Sequence, residues 1–503
     1  MPGKGSCDSI DAFERRLCRR NLVLGEVSEG AVEAPSDFPG GRFRKGGEAP
    51  LRVPVRAAVG GIGLLSLLGY ALGFRWVTGQ GSEGLAAYVV LFVGLFVLYL
   101  AAVWLVLRRR APDRVLLGII LGGGLVFRLV LVPTPVVLSS DIHRYLWDGR
   151  VQWAGINPYR YPPAAPELLA IRDAQVHPQI NRPTKRTVYP PGMEALYRVV
   201  FGLAPDSIVG WRLFIIAGDV ATTALLLVLL GRSGAPAATV IVYAWAPLAV
   251  FEGAQAGHVD FAILPFILLA LFWRQDGRVT LSGLSLGVAV AMKLYPAVLL
   301  FAWRRRGEWR LPLACGAVAA AGYLAYLPGA GITVLGFLPE YFGSAEDFNI
   351  GLRFFLTDAV GLGGEVARGT VMLLLCLALL AVLIRLSRGA REDPASILGA
   401  GVAAVTAYLV LIPTAMHAWY AIWILPFITL RLSLAWLWFT GAVALSYLKY
   451  AWEPAALPLW ARALEYFPLY ALLIWEWARA GLLPATVART EAAAHLSPSS
   501  PQH

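Results

Sequence analysis

The sequence predicts an all-α protein, a polytopic bundle of membrane helices. Two observations carry the prediction. Composition is the first: 58% of the 503 residues are hydrophobic and 15% are charged, against roughly 25% charged in a soluble domain. Patterning is the second. Apolar runs recur at close to the roughly 20 residues that a helix needs to cross a bilayer. They lack the period-two alternation of a membrane barrel, and an open sheet would leave backbone groups unpaired in lipid. The expected architecture is about twelve spans plus a re-entrant helical hairpin, with a long outer loop carrying interfacial helices.

Residues 1–50 are polar and poorly patterned. They read as a flexible cytoplasmic tail whose end is held inside by Arg42, Arg44, Lys45, Arg52 and Arg56. Residues 51–480 form the membrane domain, and 481–503 a second cytoplasmic tail. Spans are expected near 57–74, 85–107 and 115–133, with Arg108, Arg109, Arg110 and Arg114 marking a cytoplasmic turn before the third. The following loop, 134–192, thus lies outside and is longer than a bundle connection needs. Within it, Ala165–Ile180 spaces Leu168, Leu169, Ile171 and Val176 as an interfacial helix would, and Glu194–Leu203 follows as a second. Further spans fall near 208–230, 237–252 and 258–274. The segment 280–303 has arginines at both ends, Arg278 and Arg304–Arg306, and a proline in its middle. It is expected to be a hairpin broken at Lys293–Pro296 that dips into the membrane and returns. Spans near 311–328, 369–386, 395–413, 418–431, 433–450 and 464–480 complete the bundle and leave both termini inside.

Charge and cysteines narrow the function. The net charge is +11, from 43 Lys and Arg against 32 Asp and Glu. No soluble basic face accompanies it, so no nucleic-acid partner is expected; arginines in cytoplasmic loops account for the excess. Cys7, Cys18, Cys315 and Cys376 show neither metal spacing nor a disulfide framework. No cleavable signal is expected, because the first apolar run starts near Ala57. There is no P-loop, dinucleotide fingerprint, HExxH or GxSxG motif, so no nucleotide-driven step and no cofactor is expected.

The polar residues concentrate in a few places. Ser139–Tyr161, SSDIHRYLWDGRVQWAGINPYRY, gathers acids, bases, aromatics and Asn157 in an otherwise apolar chain. In a helix, Asp141, Arg144 or Tyr145, and Asp148 share a face, with the acids roughly 10 Å apart. One carboxylate there can act as general base toward a sugar hydroxyl; alternatively Arg144 holds both acids in a salt-bridged helix. His143 belongs to the same segment. Tyr145, Trp147, Trp153 and Tyr159 can stack on sugar faces or anchor the interface.

FEGAQAGHVD supplies Glu252, His258 and Asp260, groups that are costly near a membrane end unless they face a polar cavity or a partner. Lys293 in MKLYP is an ammonium at a broken helix, either an anion ligand or a side chain snorkelling to the interface. His417 and Tyr420 in HAWY open a later span. Arg128, Asn349 ahead of Arg353, and Lys449 complete the outer-side candidates, while Asp219 is expected to pair with Arg212 inside a span. With the topology above, the 139–192 loop, the 251–260 turn, the 329–367 loop and the 413–420 turn share one face.

These motifs, together with YPPG at 189–192, resemble the GT-C glycosyltransferases, in particular the bacterial branch of polyprenol-phosphate-mannose-dependent mannosyltransferases. The resemblance covers roughly 115–450. It implies a GT-C-like helical fold in a bacterial inner (plasma) membrane and an active site on the non-cytoplasmic side. It implies inverting transfer of a hexose, mannose by family, from a polyprenyl-phosphate-linked sugar donor to a glycolipid or glycan acceptor, without a metal. It implies Asp141 as the general base and Arg128, Lys293, His258 and His417 as candidates for the donor phosphate. The adjacent acidic pair of the family is absent, since Asp148 lies seven residues beyond Asp141. The rival reading is a transporter or flippase of a lipid-linked or anionic substrate. The sequence shows no matching broken helices in two inverted halves, as such a protein often does.

Overall fold

The computed structural model describes residues 54–81, 84–109, 112–338, 348–362, 364–389, 393–412, 415–451 and 455–482. The expected tail at 1–50, nearly all of that at 481–503, and Cys7 and Cys18 lie outside the described residues. Among the described residues the fold is all helical, with a single isolated bridge between Phe348 and Ala415.

The helices follow the apolar runs closely. Helix α1 spans Val55–Thr78, with a π-turn over Gly69–Gly73, and α2 spans Gly84–Leu107. Helix α2 carries no charge in 24 residues, a length of about 36 Å that exceeds the hydrocarbon core. Helix α3, Arg114–Leu129, is capped by Asp113, which accepts from the Leu116 N–H at 2.9 Å and pairs with Arg56 at 2.7 Å. Then come α4 (Asp141–Trp153), α5 (Pro191–Leu203) and α6 (Ile208–Arg232). Helices α7 (Ala237–Ala244) and α8 (Pro247–Gln255) are bent by 57° at a proline. Next are α9 (Asp260–Gln275), α10 (Val279–Met292), α11 (Val298–Trp303) and α12 (Arg310–Tyr326). Helices α13 (Leu352–Leu356), α14 (Glu365–Arg388) and α15 (Pro394–Leu411) follow. Helix α16 (Leu425–Leu430) continues the 3₁₀ turn Ala418–Trp423, α17 (Leu434–Ala442) runs on as the 3₁₀ segment Val443–Tyr450, and α18 is Leu459–Leu482.

Among the described residues, five helices are long and apolar enough to cross a membrane: α1, α2, α6, α14 and α15; the bent α7–α8 pair makes a sixth if it is one span. Helices α9, α10 and α12 have 16, 14 and 17 residues, so a count of about twelve spans exceeds what length and composition establish. The 280–303 segment breaks at its expected place: α10 stops at Met292, Tyr295–Ala297 forms a 3₁₀ turn, and α11 resumes at Val298. The expected interfacial helix over Ala165–Ile180 does not form. Pro166–Ile171 and His177–Gln179 are separate 3₁₀ turns. Between them, Asp173 accepts from the Gln175 and Val176 N–H groups at 2.6 and 2.5 Å, a local bonding pattern that competes with a helix.

Helix α10 packs against both α9 and α12. A Cβ on Gly283 or Gly287 would meet the Leu311 or Cys315 carbonyl at 2.6 or 2.8 Å; small residues four apart let the α10 and α12 backbones touch. Interior charges tie the chain leading to the long loop. Arg128 pairs with Asp219 and donates to the Gly124 and Ala244 carbonyls at 2.9 and 2.7 Å. The expected Arg212–Asp219 pair is therefore not formed; Arg212 instead donates to the Val132 and Thr134 carbonyls at 2.9 and 2.5 Å. Gln255 donates to the Pro135 carbonyl at 2.7 Å. Together these bonds fix where the chain enters residues 136–140 and begins α4.

Candidate active site

The start of α4, the start of α9, the end of α10 and the end of α15 converge on a cavity of about 490 Å³. Helices α9 and α10 are joined by a tight turn at their other ends, so the cavity lies at the opposite end of that pair. Of the residues expected at the site, Asp141, Arg144, Tyr145, Asp260, Lys293, His417 and Tyr420 line it.

Asp141 is the first residue of α4, where the helix end favours an acid. The Asn181 amide donates to its carboxylate at 2.5 Å. One turn on, Arg144 donates through Nε to both oxygens of Asp148 at 2.9 Å and through Nη1 to the Lys185 carbonyl at 3.1 Å. Arg144 thereby pins the 181–186 segment over the N-terminus of α4. That segment, NRPTKR, brings Arg182, Lys185 and Arg186 to the cavity. Beneath, Tyr145 packs on Tyr189, Tyr197 and Trp211. Helix α5 closes in because Gly192 of YPPG lies against α10: a Cβ there would sit 2.7 Å from the Ala291 carbonyl.

On the far side, Asp260 is fully buried at the start of α9. It pairs with Lys293 at 2.7 Å and accepts from the Trp423 indole at 2.5 Å. The Lys293 Nζ lies 4.8 and 4.9 Å from the ring centres of Tyr420 and Trp423, within cation–π range. His417 stacks between Phe348 (4.5 Å) and Trp419 (4.3 Å). The Phe348–Ala415 bridge and the Met416 N–H bond to the Phe348 carbonyl at 2.8 Å hold it there. Burial, and then the nearby His258 and Lys293 charges, push the His417 imidazole down to about 3, so it is neutral at physiological pH.

The other expected residues do different work. Asp148 is 2% exposed and does not line the cavity. It belongs to a buried network in which Gln152 donates to Glu194 at 3.1 Å, Thr187 donates to Glu194 at 2.6 Å and Tyr326 donates to Gln152 at 2.7 Å. Burial raises both carboxyls; Glu194 lies well above its usual range because Asp148 adds a like charge, while Arg144 offsets the rise at Asp148. Arg128 is committed to Asp219 in the bundle interior. His143 sets its ring against the Ser140 carbonyl at 3.2 Å, and burial lowers its pKa. Asn157 donates to the Tyr326 carbonyl at 2.7 Å, and Tyr159 to the Tyr189 carbonyl at 2.6 Å. Asn349 is buried behind Phe348 and donates to the Met416 carbonyl at 3.4 Å. Glu252 and His258 are both 0% exposed and lie behind the cavity wall.

Sequence reasoning missed Asn181, Arg182, Lys185 and Arg186, although three cations within five residues of a polar loop were a readable signal. It also missed Tyr447 and Trp423, whose aromatic character disappears among apolar neighbours.

A chain that is all helical among its described residues, with at least five helices able to cross a bilayer, is an integral membrane protein, and this one carries a polar, aromatic-walled cavity where several helices end. Residues 187–413 match the family model of Glycosyltransferase family 87. The enzyme class is therefore glycosyltransferase, acting on a sugar donor and an acceptor. The matched region contains Glu194, Glu252, His258, Asp260, Lys293 and Asn349; it begins after Asp141 and ends before His417. No curated protein and no solved structure matches the chain.

Proposed function

We propose that the enzyme transfers a hexose, mannose by family resemblance, from a polyprenyl-phosphate donor to a lipid-linked or glycan acceptor, with inversion and with Asp141 as general base. The observation that carries this reading is the pairing of the two acids in the cavity. Asp260 is committed to the Lys293 ammonium and the Trp423 indole. Asp141 has a neutral amide as its hydrogen-bond partner, so its lone pairs are available to an acceptor hydroxyl. In the step, the acceptor oxygen forms a bond to C1 as its proton passes to Asp141. The C1–O bond to phosphate breaks, and its electron pair stays on the phosphate oxygen. The leaving phosphate gains negative charge, which Lys293 and the cations of the 181–186 segment stabilise more than they do the ground state. Tyr420 lines the cavity beside Lys293, and neutral His417 offers the sugar a hydrogen bond.

In the same reading the cavity opens on the non-cytoplasmic side of a bacterial inner membrane. The shorter helices complete about twelve spans, and α10–α11 form a re-entrant hairpin that carries Lys293 at its break. Asp148 supports α4 rather than reacting. The test is reconstituted enzyme given polyprenyl-phosphate hexoses and a lipid-extract acceptor. Transfer by the parent and its loss, by about a hundredfold or more, in Asp141→Asn at unchanged thermal stability is the expected result. An Asn variant with parental kcat removes Asp141 from the base role.

A further inference from the structure

Glu252 and His258 do not reach the cavity, yet they meet each other directly behind it. The π-helical turn Val250–Gln255, on which α8 ends, carries Glu252, and His258 precedes α9 by two residues. Both are fully buried, with Nε2 of His258 3.3 Å from Oε2 of Glu252. The Tyr447 hydroxyl donates to the other carboxylate oxygen at 2.8 Å. The His258 ring stacks face to face on Trp419, centres 3.9 Å apart and planes 19° apart, and Trp419 stacks in turn on His417 at 4.3 Å and 7°. Trp419, His417, Phe348 and Tyr447 all line the cavity. The buried pair therefore touches the wall at two points: Tyr447 by hydrogen bond and Trp419 by ring stacking.

A carboxylate removed from water needs a charged or hydrogen-bonding partner, and His258 and Tyr447 are the groups in contact with Glu252. A ring stacked face to face on an indole adds attraction beyond area burial. We propose that Glu252 and His258 form a positioning pair for sugar transfer. Glu252 holds the His258 ring in place at 3.3 Å, His258 clamps Trp419, and Trp419 fixes the plane of His417. The nitrogens of an imidazole bond only in its ring plane, so fixing that plane fixes where His417 can meet the substrate. A displacement of about 1 Å at such a contact is enough to cost up to about a hundredfold in rate. The pair touches no substrate, so its loss falls on kcat more than on KM. The proposal rests on the reading of the cavity as the transfer site.

The test uses the full-length enzyme in proteoliposomes with a polyprenyl-phosphate hexose. His258→Phe keeps a flat ring against Trp419 without the nitrogen that meets Glu252, and Glu252→Gln keeps an acceptor for Tyr447 without the carboxylate. Each is expected to lower kcat roughly tenfold with the donor KM held within about twofold. The double variant falls no further than either single, because the two act as one unit. In a Trp419→Leu background, His258→Phe has no added effect. Should His258→Phe not give monodisperse protein, His258→Gln, smaller and neutral, takes its place. Parental kcat in the single variants, a change confined to KM, or losses that multiply with Trp419→Leu overturn the proposal alone, provided Asp141→Asn still abolishes transfer. A parent that transfers no sugar from any polyprenyl-phosphate donor overturns the reading of the cavity and this proposal with it.

Discussion

Glu194 shows how a single residue can couple the long loop to pH. Its carboxyl is 0% exposed, with Asp148 beside it and Thr187 and Gln152 donating to it. Burial and the Asp148 charge raise its pKa well above the glutamate range. A raised folded pKa means that the folded state binds the proton more tightly than the unfolded chain does. The associated stability is fully present below the ordinary glutamate value of about 4.3. It is lost as the pH rises from there through the raised folded value. Asp148 shifts in the same direction and adds to the slope. The parent should therefore melt at a lower temperature at pH 8 than at pH 5.5, and Glu194→Gln should flatten that dependence while keeping the Thr187 bond. Thermal unfolding in detergent across this range checks it; a Gln variant with the parental slope assigns the dependence elsewhere.

At the scale of elements, YPPG explains how the cavity keeps its floor. Pro191 starts α5 at a position where its missing N–H costs nothing, and Gly192 lets α5 approach the α10 backbone at Ala291. Gly192→Val would drive a branched side chain into the Ala291 carbonyl. The expected cost is about 1–3 kcal/mol, with a fall in transfer because α10 also ends at Lys293. Melting temperature and kcat measured on one preparation check both; a variant with parental values for each refutes the close-packing role. Elements were the most readable level of this chain. Long apolar runs, the arginine-marked turns and the proline at 296 set helix limits within a few residues of those found. The 165–180 segment was misread because its spacing of leucines is helical, whereas Asp173 and Pro178 act locally and outweigh four apolar contacts.

For the whole molecule, chain order brought Asp141, Asp260 and His417 toward one end, and that much was legible from the alternation of spans and arginine-marked turns; Lys293 joins them at the break of the 280–303 segment, which that alternation did not place there. Which side chains turn inward was not legible. Arg128 and Asp148 carry the same charges as Lys293 and Asp141, and only packing decides that the first two are spent on Asp219 and Arg144. The proposed sidedness rests on arginine placement alone, and it makes a prediction for the entire bundle. Ala174, exposed in the long loop, and Arg388, exposed at the end of α14, should lie on opposite faces of the membrane. In a background with all four cysteines, Cys7, Cys18, Cys315 and Cys376, replaced by serine, Ala174→Cys should react with an impermeant maleimide in cells whose outer face is accessible. Arg388→Cys should react only after permeabilisation. The reverse pattern would put the cavity on the cytoplasmic face, where the positive-inside rule places the arginines instead. Labelling of both from one side would mean that the helices between them cross the membrane an even number of times, and the span count would have to change with it.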